Sequence, residues 1–218
     1  MIEDCTALIL AGGDSRRMGQ DKAVLVLDGM TLLDHVTAAM QQVFPKVVVS
    51  VRQLRAGVEV SQVCDEVEVS QVCDEVEVSQ VCDEVEVSQV CDEVEASGPL
   101  AGLLAGLAQA DTPWVFAVAC DMPFVTPAVV LHLATFRDGV QAVVPMIDGY
   151  PQPLAAFYAA SSLEAMRASL AAGDKSLRGM LQKLDVRYVS EAKLRECDPQ
   201  LRSFVDLDTP QDFQAAKK

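Results

Sequence analysis

The chain has 218 residues, of which 50% are hydrophobic, and a formal net charge of −15 at pH 7. This apolar fraction excludes a disordered chain, and the length suffices to bury one core without disulfides. No apolar run reaches the roughly 18 residues of a membrane span, and the early acids Glu3 and Asp4 are unlike a signal peptide. There is also no basic face for nucleic acid. We therefore expect a cytoplasmic globular protein that binds neither membrane nor nucleic acid.

A nine-residue unit, VEVSQVCDE, occurs four times without change between residues 58 and 93. Three of these units carry nine acids, and without them the chain would have 191 residues and a net charge of −6. Because nine is odd, a continuous strand would turn its side chains to the other face at every unit, which argues against a β-solenoid. We interpret the repeats as a duplicated insertion within a single domain that spans 1–218. The last unit is expected to supply a strand, and the other three an exposed excursion.

Short apolar runs alternate with amphipathic stretches along the rest of the chain, a pattern typical of a mainly parallel sheet covered by helices. The predicted strands cover 5–10, 47–51, one repeat unit, 114–119, 140–146, 154–158, 186–189 and 204–207. The predicted helices cover 32–43, 100–110, 127–136, 162–172, 176–184 and a final stretch from 210. Thr31, Thr126 and Thr209 are placed as N-caps, and Asp34 completes a capping box with Thr31. The chain is therefore predicted to be α/β, with a single three-layer Rossmann-like domain.

The first predicted strand runs into a glycine turn that basic residues follow. Gly12 and Gly13 allow the backbone to approach a phosphate closely, and Arg16, Arg17 and Lys22 supply positive charge suited to a triphosphate. The turn has neither the Gly-Lys-Ser/Thr of a Walker P-loop nor the Gly-x-Gly-x-x-Gly of dinucleotide-binding proteins. An ordinary surface loop is the alternative interpretation.

Asp121 stands directly after the apolar run 114–119. Ligands of open α/β sheets gather at the carboxyl ends of strands, and a carboxylate there is placed to hold Mg²⁺, which prefers oxygen ligands. A turn or capping aspartate is the alternative. His35 and His132 lie in predicted helices and are assigned structural roles.

Four motifs occur in an order that resembles the molybdenum cofactor guanylyltransferases. They are LAGGDSRRMGQDK at 10–22, GPLAG at 98–102, CDMP at 120–123 and VDLDTP at 205–210. The resemblance implies a nucleotidyltransferase fold and the transfer of GMP from GTP to molybdenum-molybdopterin, with Mg²⁺ as cofactor and pyrophosphate as the second product. Molybdoenzymes or their chaperones are further candidate partners.

The resemblance also assigns roles to individual residues. The implied catalytic residues are Arg17, Lys22 and Asp121, of which Lys22 binds nucleotide phosphate and Asp121 is the Mg²⁺ ligand. The implied nucleotide-binding residues are Leu10, Ala11, Gly12, Gly13, Lys22, Ser50, Asp92 and Asp121.

Three positions depart from the family pattern or are duplicated. Asp92 is placed by its spacing to Gly98 and has copies at Asp65, Asp74 and Asp83. Ser50 replaces an asparagine that contacts guanosine in a family member. Asp206 and Asp208 stand where asparagine is frequent, and they are equally compatible with assisting the metal or pterin and with anchoring the last helix.

The alternatives are a cytidylyltransferase for the same cofactor, a sugar-nucleotide pyrophosphorylase, and a non-catalytic nucleotide-binding protein. The pair Gly12-Gly13 favours the guanylyl branch, because the cytidylyl branch tends to Ala-Gly at this place. The joint presence of Arg17, Lys22 and Asp121 favours catalysis, because a sensor would not need metal chemistry.

Overall fold

The computed structural model describes residues 1–11, 22–51, 86–91 and 98–217. The predicted site residues Gly12, Gly13, Arg17 and Asp92 lie outside these ranges, as do the first three repeat units. No helix within the described residues is both long and apolar enough to cross a membrane.

The described strands and helices alternate along the chain. The strands are β1 (Cys5–Leu10), β2 (Val26–Leu27), β3 (Met30–Thr31), β4 (Lys46–Val51), β5 (Glu86–Cys91), β6 (Trp114–Ala119), β7 (Ala142–Ile147), β8 (Tyr150–Pro151), β9 (Ala155–Ala159) and β10 (Val186–Val189). The helices are α1 (Leu32–Gln41), α2 (Pro99–Gln109), α3 (Pro127–Ala134), α4 (Leu163–Ala171), α5 (Leu177–Leu181), α6 (Glu191–Leu194) and α7 (Pro210–Ala216). Short 3₁₀ turns cover Lys22–Val24, Ala160–Ser162 and Arg202–Phe204.

Eight strands form one sheet in the order β10-β7-β9-β6-β1-β4-β5, with β8 paired to β7. The pairs are parallel except for those that β9 makes with β6 and β7 and the short pair of β7 with β8. The chain passes from β1 to β4 and β5 on one side and then returns to β6 on the other. The strand order therefore switches direction between β1 and β6, where ligands bind in open α/β sheets.

Alternate side chains of each central strand enter opposite cores. On β1, Ala7 and Ile9 pack in a core with residues of α1 and α3, whereas Leu8 and Leu10 pack in a second core with residues of α2, α4 and α5. Helix α2 lies so close to the sheet that a Cβ at Gly106 would collide with the Leu8 side chain. These two cores confirm the predicted three-layer α/β fold.

The final repeat unit supplies the edge strand β5. Its register with β4 pairs Lys46 with Glu86 and Ser50 with Val90. This position agrees with the prediction made from the spacing to Gly98.

Local signals in the sequence predict the helix starts well. The Thr31 hydroxyl accepts a hydrogen bond from the Asp34 backbone N–H at 3.0 Å, and the Thr31 N–H donates to the Asp34 carboxylate at 3.2 Å, which completes the capping box. Thr126 and Thr209 also cap their helices, each with proline at the first helical position.

The predicted strand over 204–207 is wrong. Arg202–Phe204 is a 3₁₀ turn, Val205 is extended, and the residues that follow form no strand. Leu207 donates its N–H to the Asp121 carbonyl, and its side chain is buried with Leu27 and Leu32. Leu207 is therefore held by a backbone bond to the Asp121 turn and by packing on Leu27 and Leu32, and not by the row of backbone hydrogen bonds that a strand makes with a neighbouring strand.

Other described elements also differ from the prediction. The helix predicted over 176–184 is shorter, because 3₁₀-type bonds close the chain after Leu177–Leu181. The hairpin of β2 and β3 was not predicted, although its turn is Asp28-Gly29, with φ of 51° and 88°, a strong hairpin signal. The short helix α6 was also missed.

Candidate active site

The carboxyl ends of β1, β4 and β6 are joined by backbone hydrogen bonds. The Ala11 N–H donates to the Ser50 carbonyl at 2.9 Å, and the Cys120 N–H donates to the Leu10 carbonyl at 3.1 Å. Leu10, Ala11 and Ser50 are buried. The backbone at three of the predicted nucleotide-binding positions is therefore fixed at this edge, and Cys120, the residue before Asp121, is tied to it.

Lys22 reaches across this edge to the Asp121 carboxylate. Its backbone opens the 3₁₀ turn Lys22–Val24, in which Leu25 donates to the Lys22 carbonyl at 3.1 Å and Ala23 is buried. The ammonium Nζ lies 2.8 Å from Asp121 Oδ2, and the two side chains are only 16% and 17% exposed. Two predicted catalytic residues that are 99 positions apart thus meet at the switch point.

A second carboxylate, that of Asp208, also contacts the Lys22 ammonium. Its segment is held against the Asp121 turn because the Leu207 N–H donates to the Asp121 carbonyl at 2.9 Å. The last helix is anchored by other residues, since Thr209 and Asp212 form its capping box. The Asp208 side chain therefore contacts the predicted catalytic residue Lys22, whereas Thr209 and Asp212 cap the helix.

The charges of this cluster shift two pKa values. Burial of the ammonium group opposes its charge, but the hydrogen bonds and charges of Asp121 and Asp208 outweigh burial and raise the pKa of Lys22. Partial burial raises the pKa of Asp206, and the like charges of Asp208 and Asp121 raise it further. Lys22 offsets only part of this effect. The described part of the cluster thus sets three carboxylates against one ammonium group, and its field favours a further cation.

The cluster does not form a complete metal site from protein ligands. Among the residues that the structure describes, no group of three or more histidine, cysteine, aspartate or glutamate side chains is arranged to hold a metal ion. The two carboxylates on Lys22 nevertheless show that this edge can hold a cation. Such an arrangement needs ligands from a substrate to complete a metal's coordination sphere.

Helix α2 begins at the same edge, after β5. Gly98 has φ of 127°, a conformation that side chains rarely adopt, and Pro99 follows at the first helical position. The N-cap residue, Gly98, makes no side-chain cap hydrogen bond. The Gly-Pro pair of the motif therefore serves the backbone geometry at this point.

The two histidines make contacts away from the Lys22 and Asp121 pair. His35 Nε2 lies 2.8 Å from the Leu27 carbonyl, next to the β2–β3 hairpin. The His132 ring meets the Phe136 ring edge-on, with centroids 5.3 Å apart. These contacts fit the structural roles predicted for both.

Comparisons with known proteins identify the family of this chain. The family model of the MobA-like NTP transferase domain matches residues 7–188. The chain belongs to the MobA-like NTP transferase family. The resemblance drawn from the four sequence motifs is thereby confirmed.

Similar members of the family align over nearly their whole length. The molybdenum cofactor guanylyltransferase of Desulfosudis oleivorans is 31% identical, with 99% of this chain and 96% of the relative covered. A probable molybdenum cofactor guanylyltransferase of Pelotomaculum thermopropionicum is 30% identical, with 97% and 91% covered. The crystal structure of molybdopterin-guanine dinucleotide biosynthesis protein A from Archaeoglobus fulgidus has a TM-score of 0.75 and 28% identity, with 97% and 96% covered. The nucleotidyltransferase fold thus extends over almost the entire chain.

Proposed function

We propose that this family member transfers GMP from GTP to the terminal phosphate of molybdenum-molybdopterin and releases pyrophosphate. The observation that carries the proposal is the meeting of Lys22 and Asp121 at the switch point between β1 and β6. The similarity to guanylyltransferases over almost the whole chain supports the choice of GTP and of a molybdopterin acceptor.

In this reaction an oxygen of the acceptor phosphate attacks the α-phosphorus of GTP. A new P–O bond forms while the bond between the α-phosphorus and the α,β-bridging oxygen breaks, and pyrophosphate departs with that oxygen. The acceptor phosphate is already anionic, so that no strong general base is needed. The protein therefore has to align the two phosphates and offset their negative charge.

The described residues supply parts of both tasks. The fixed backbone at Leu10 and Ala11 provides a rigid surface on which the nucleotide binds. Ser50 lies beside Leu10 on the next strand. The Lys22 ammonium offsets charge on the triphosphate. Arg17, Gly12 and Gly13 in the glycine turn and Asp92 after β5 remain predicted contributors from outside the described residues.

Mg²⁺ is the metal that this donor set fits. The ion is usually held by one or two carboxylates together with substrate phosphates, which matches Asp121 as ligand with Asp208 beside it. When bound, Mg²⁺ would neutralise charge on the phosphates and polarise them. Asp121 would hold the ion at the end of β6, beside the backbone of Leu10 and Ala11.

A thermal-shift panel tests the nucleotide choice. The protein is heated with GTP, CTP, ATP or UTP, each with and without Mg²⁺, because a ligand that binds the folded state raises the melting temperature. We expect the largest rise with GTP and Mg²⁺. A larger rise with CTP would identify a cytidylyltransferase, and a larger rise with another nucleotide would favour a sugar-nucleotide pyrophosphorylase.

Turnover then separates an enzyme from a nucleotide-binding protein. Pyrophosphate release from GTP is measured with molybdenum-loaded molybdopterin as acceptor. We expect release that depends on the acceptor and on Mg²⁺. Tight GTP binding without acceptor-dependent release would contradict the proposed transfer.

A further inference from the structure

The Lys22 ammonium lies where a bound cation would be held. Its Nζ contacts carboxylates from two separate parts of the chain, Asp121 at 2.8 Å and Asp208. The Asp121 carboxylate, which is expected to hold the metal, is thus already neutralised by the protein's own cation.

A divalent ion and the ammonium group compete for this place. Mg²⁺ binds carboxylate oxygens at about 2.0–2.1 Å, so an ion on Asp121 Oδ2 would lie within a few ångströms of a cation that is hydrogen-bonded to the same oxygen. At such a distance, the repulsion between the two cations is strong in a partly buried site. Either the metal binds weakly or the ammonium group moves away.

The local structure allows the ammonium group to move without the backbone. The Lys22 backbone is held in its 3₁₀ turn by the bond to Leu25 and by the buried Ala23. Its ammonium group stands on a flexible four-carbon stem, which can swing to a new partner. The Asp121 backbone is also fixed, by the bond from Leu207.

The charges of the cluster determine where the Lys22 ammonium group moves when a metal ion binds. With Asp206 nearby, the described residues of the cluster carry more carboxylates than cations, which favours the arrival of a further cation. A metal ion on the carboxylates takes over the neutralisation that Lys22 supplies and releases the ammonium group toward the phosphates.

We propose that Lys22 is the resident counter-ion of Asp121 and Asp208 in the nucleotide-free protein, that it yields this place to the divalent ion, and that it then pairs with the triphosphate. The last step rests on the proposed function, whereas the first two concern metal binding alone. Lys22 therefore opposes metal binding before the nucleotide arrives and supports nucleotide binding afterwards.

The test measures Mn²⁺ binding to nucleotide-free protein by electron paramagnetic resonance. Wild type is compared with Lys22→Met, which keeps an unbranched side chain that is one atom shorter and has no charge. The matched control is Lys46→Met, because Lys46 pairs with Asp111 at 3.5 Å at the amino end of β4, the opposite edge of the sheet. We expect Lys22→Met to bind Mn²⁺ at least about tenfold more tightly and the control to stay within about twofold of wild type.

An unchanged or weaker Mn²⁺ affinity in folded Lys22→Met would overturn the exchange. A second measurement uses the wild-type protein with ¹³C-labelled lysine and follows the Lys22 Cε resonance by NMR during a Mg²⁺ titration. The resonance is assigned by its loss in Lys22→Arg. We expect it to shift while the Lys46 resonance stays in place, and an unshifted Lys22 signal at saturating Mg²⁺ would also overturn the exchange.

GTP binding separates this inference from the proposed function. With Mg²⁺ present, Lys22→Met should bind GTP more weakly than wild type, the opposite direction to its Mn²⁺ binding. Tighter Mn²⁺ binding in a protein that does not bind GTP would overturn the proposed function and keep the metal half of the exchange. Normal GMP transfer from GTP together with unchanged Mn²⁺ binding in Lys22→Met would overturn the exchange and keep the proposed function.

Discussion

Two segments bring a carboxylate to Lys22, and they are held in different ways. Asp121 follows β6, whose register with β1 and the bond from Cys120 to Leu10 fix its position. Asp208 follows a segment that is not a strand, and among the described residues Leu207 holds this segment by its backbone bond to Asp121 and by its buried side chain. Asp121 is 17% exposed and Asp208 is 46% exposed.

The difference indicates a division of roles. A carboxylate at the end of a buried strand is rigidly placed, as a metal ligand must be. A carboxylate on a segment that rests on few contacts can adjust as substrates enter. We therefore expect Asp121 to be required for the chemistry and Asp208 to position Lys22 without being essential.

The largest expected effect is that of Asp121→Asn, which removes the charge of the proposed metal ligand with little change in shape. We expect GMP transfer to fall by at least about 100-fold, with the fold retained. The measurement is pyrophosphate release over a range of Mg²⁺ concentrations. The matched control is Asp111→Asn, because Asp111 lies at the opposite edge of the sheet and is 72% exposed. Wild-type turnover in Asp121→Asn would remove the metal-ligand assignment.

Asp208→Asn should have a smaller effect, because Asp121 remains to hold the metal. We expect kcat/KM for GTP to fall by about tenfold or less, roughly the loss of one charge-assisted hydrogen bond. Steady-state kinetics measure kcat/KM for GTP in this variant and in Asp121→Asn under the same conditions. Equal losses in the two variants would mean that the two segments have the same role.

Thr209→Ala tests whether the C-terminal segment depends on its helix. The change removes the capping box that Thr209 forms with Asp212, and we expect the free energy of unfolding to fall by about 1 kcal/mol. Urea denaturation measures this loss, and Thr31→Ala, which removes the equivalent box of α1, is the control. If only Thr209→Ala also lowers kcat/KM, the cap contributes to the placement of Asp208. An unchanged kcat/KM in both variants would mean that the cap does not contribute to the placement of Asp208.

The smallest expected effect is that of Asp206→Asn on stability. Partial burial and the charges of Asp208 and Asp121 raise the pKa of Asp206, so its ionisation disfavours the folded state. The variant should therefore melt slightly higher than wild type at pH 7. The gain should disappear as the pH falls below about 4, the ordinary range of this carboxyl, because both states are then protonated. Calorimetry at pH 7 and near pH 3 measures the difference, with Asp138→Asn, another surface aspartate, as control. An equal gain at both pH values would mean that the charge is not the cause.

Much of the fold could be predicted because its signals are local. A buried strand appears as an apolar run, and a helix start appears as a cap such as Thr31 with Asp34, so these elements follow from neighbouring residues. The Asp28-Gly29 hairpin carried a signal of the same kind that the prediction overlooked. The strand predicted at 204–207 failed because Val205 and Leu207 suit a strand locally, while no strand among the described residues pairs with them.

The site also has features that local sequence signals predict and features that depend on contacts between distant residues. The sequence by itself determined the family, the position of Asp121 after its strand and the candidacy of Lys22, because motif residues and strand ends can be read along the chain. Only the tertiary structure decided that Asp208 joins Asp121 on Lys22 and that Thr209, not Asp208, anchors the last helix. These contacts join residues that are far apart in sequence, as with Lys22 and Asp208, which are 186 positions apart. Their distance in space depends on how the strands and the C-terminal segment pack, which no local pattern encodes.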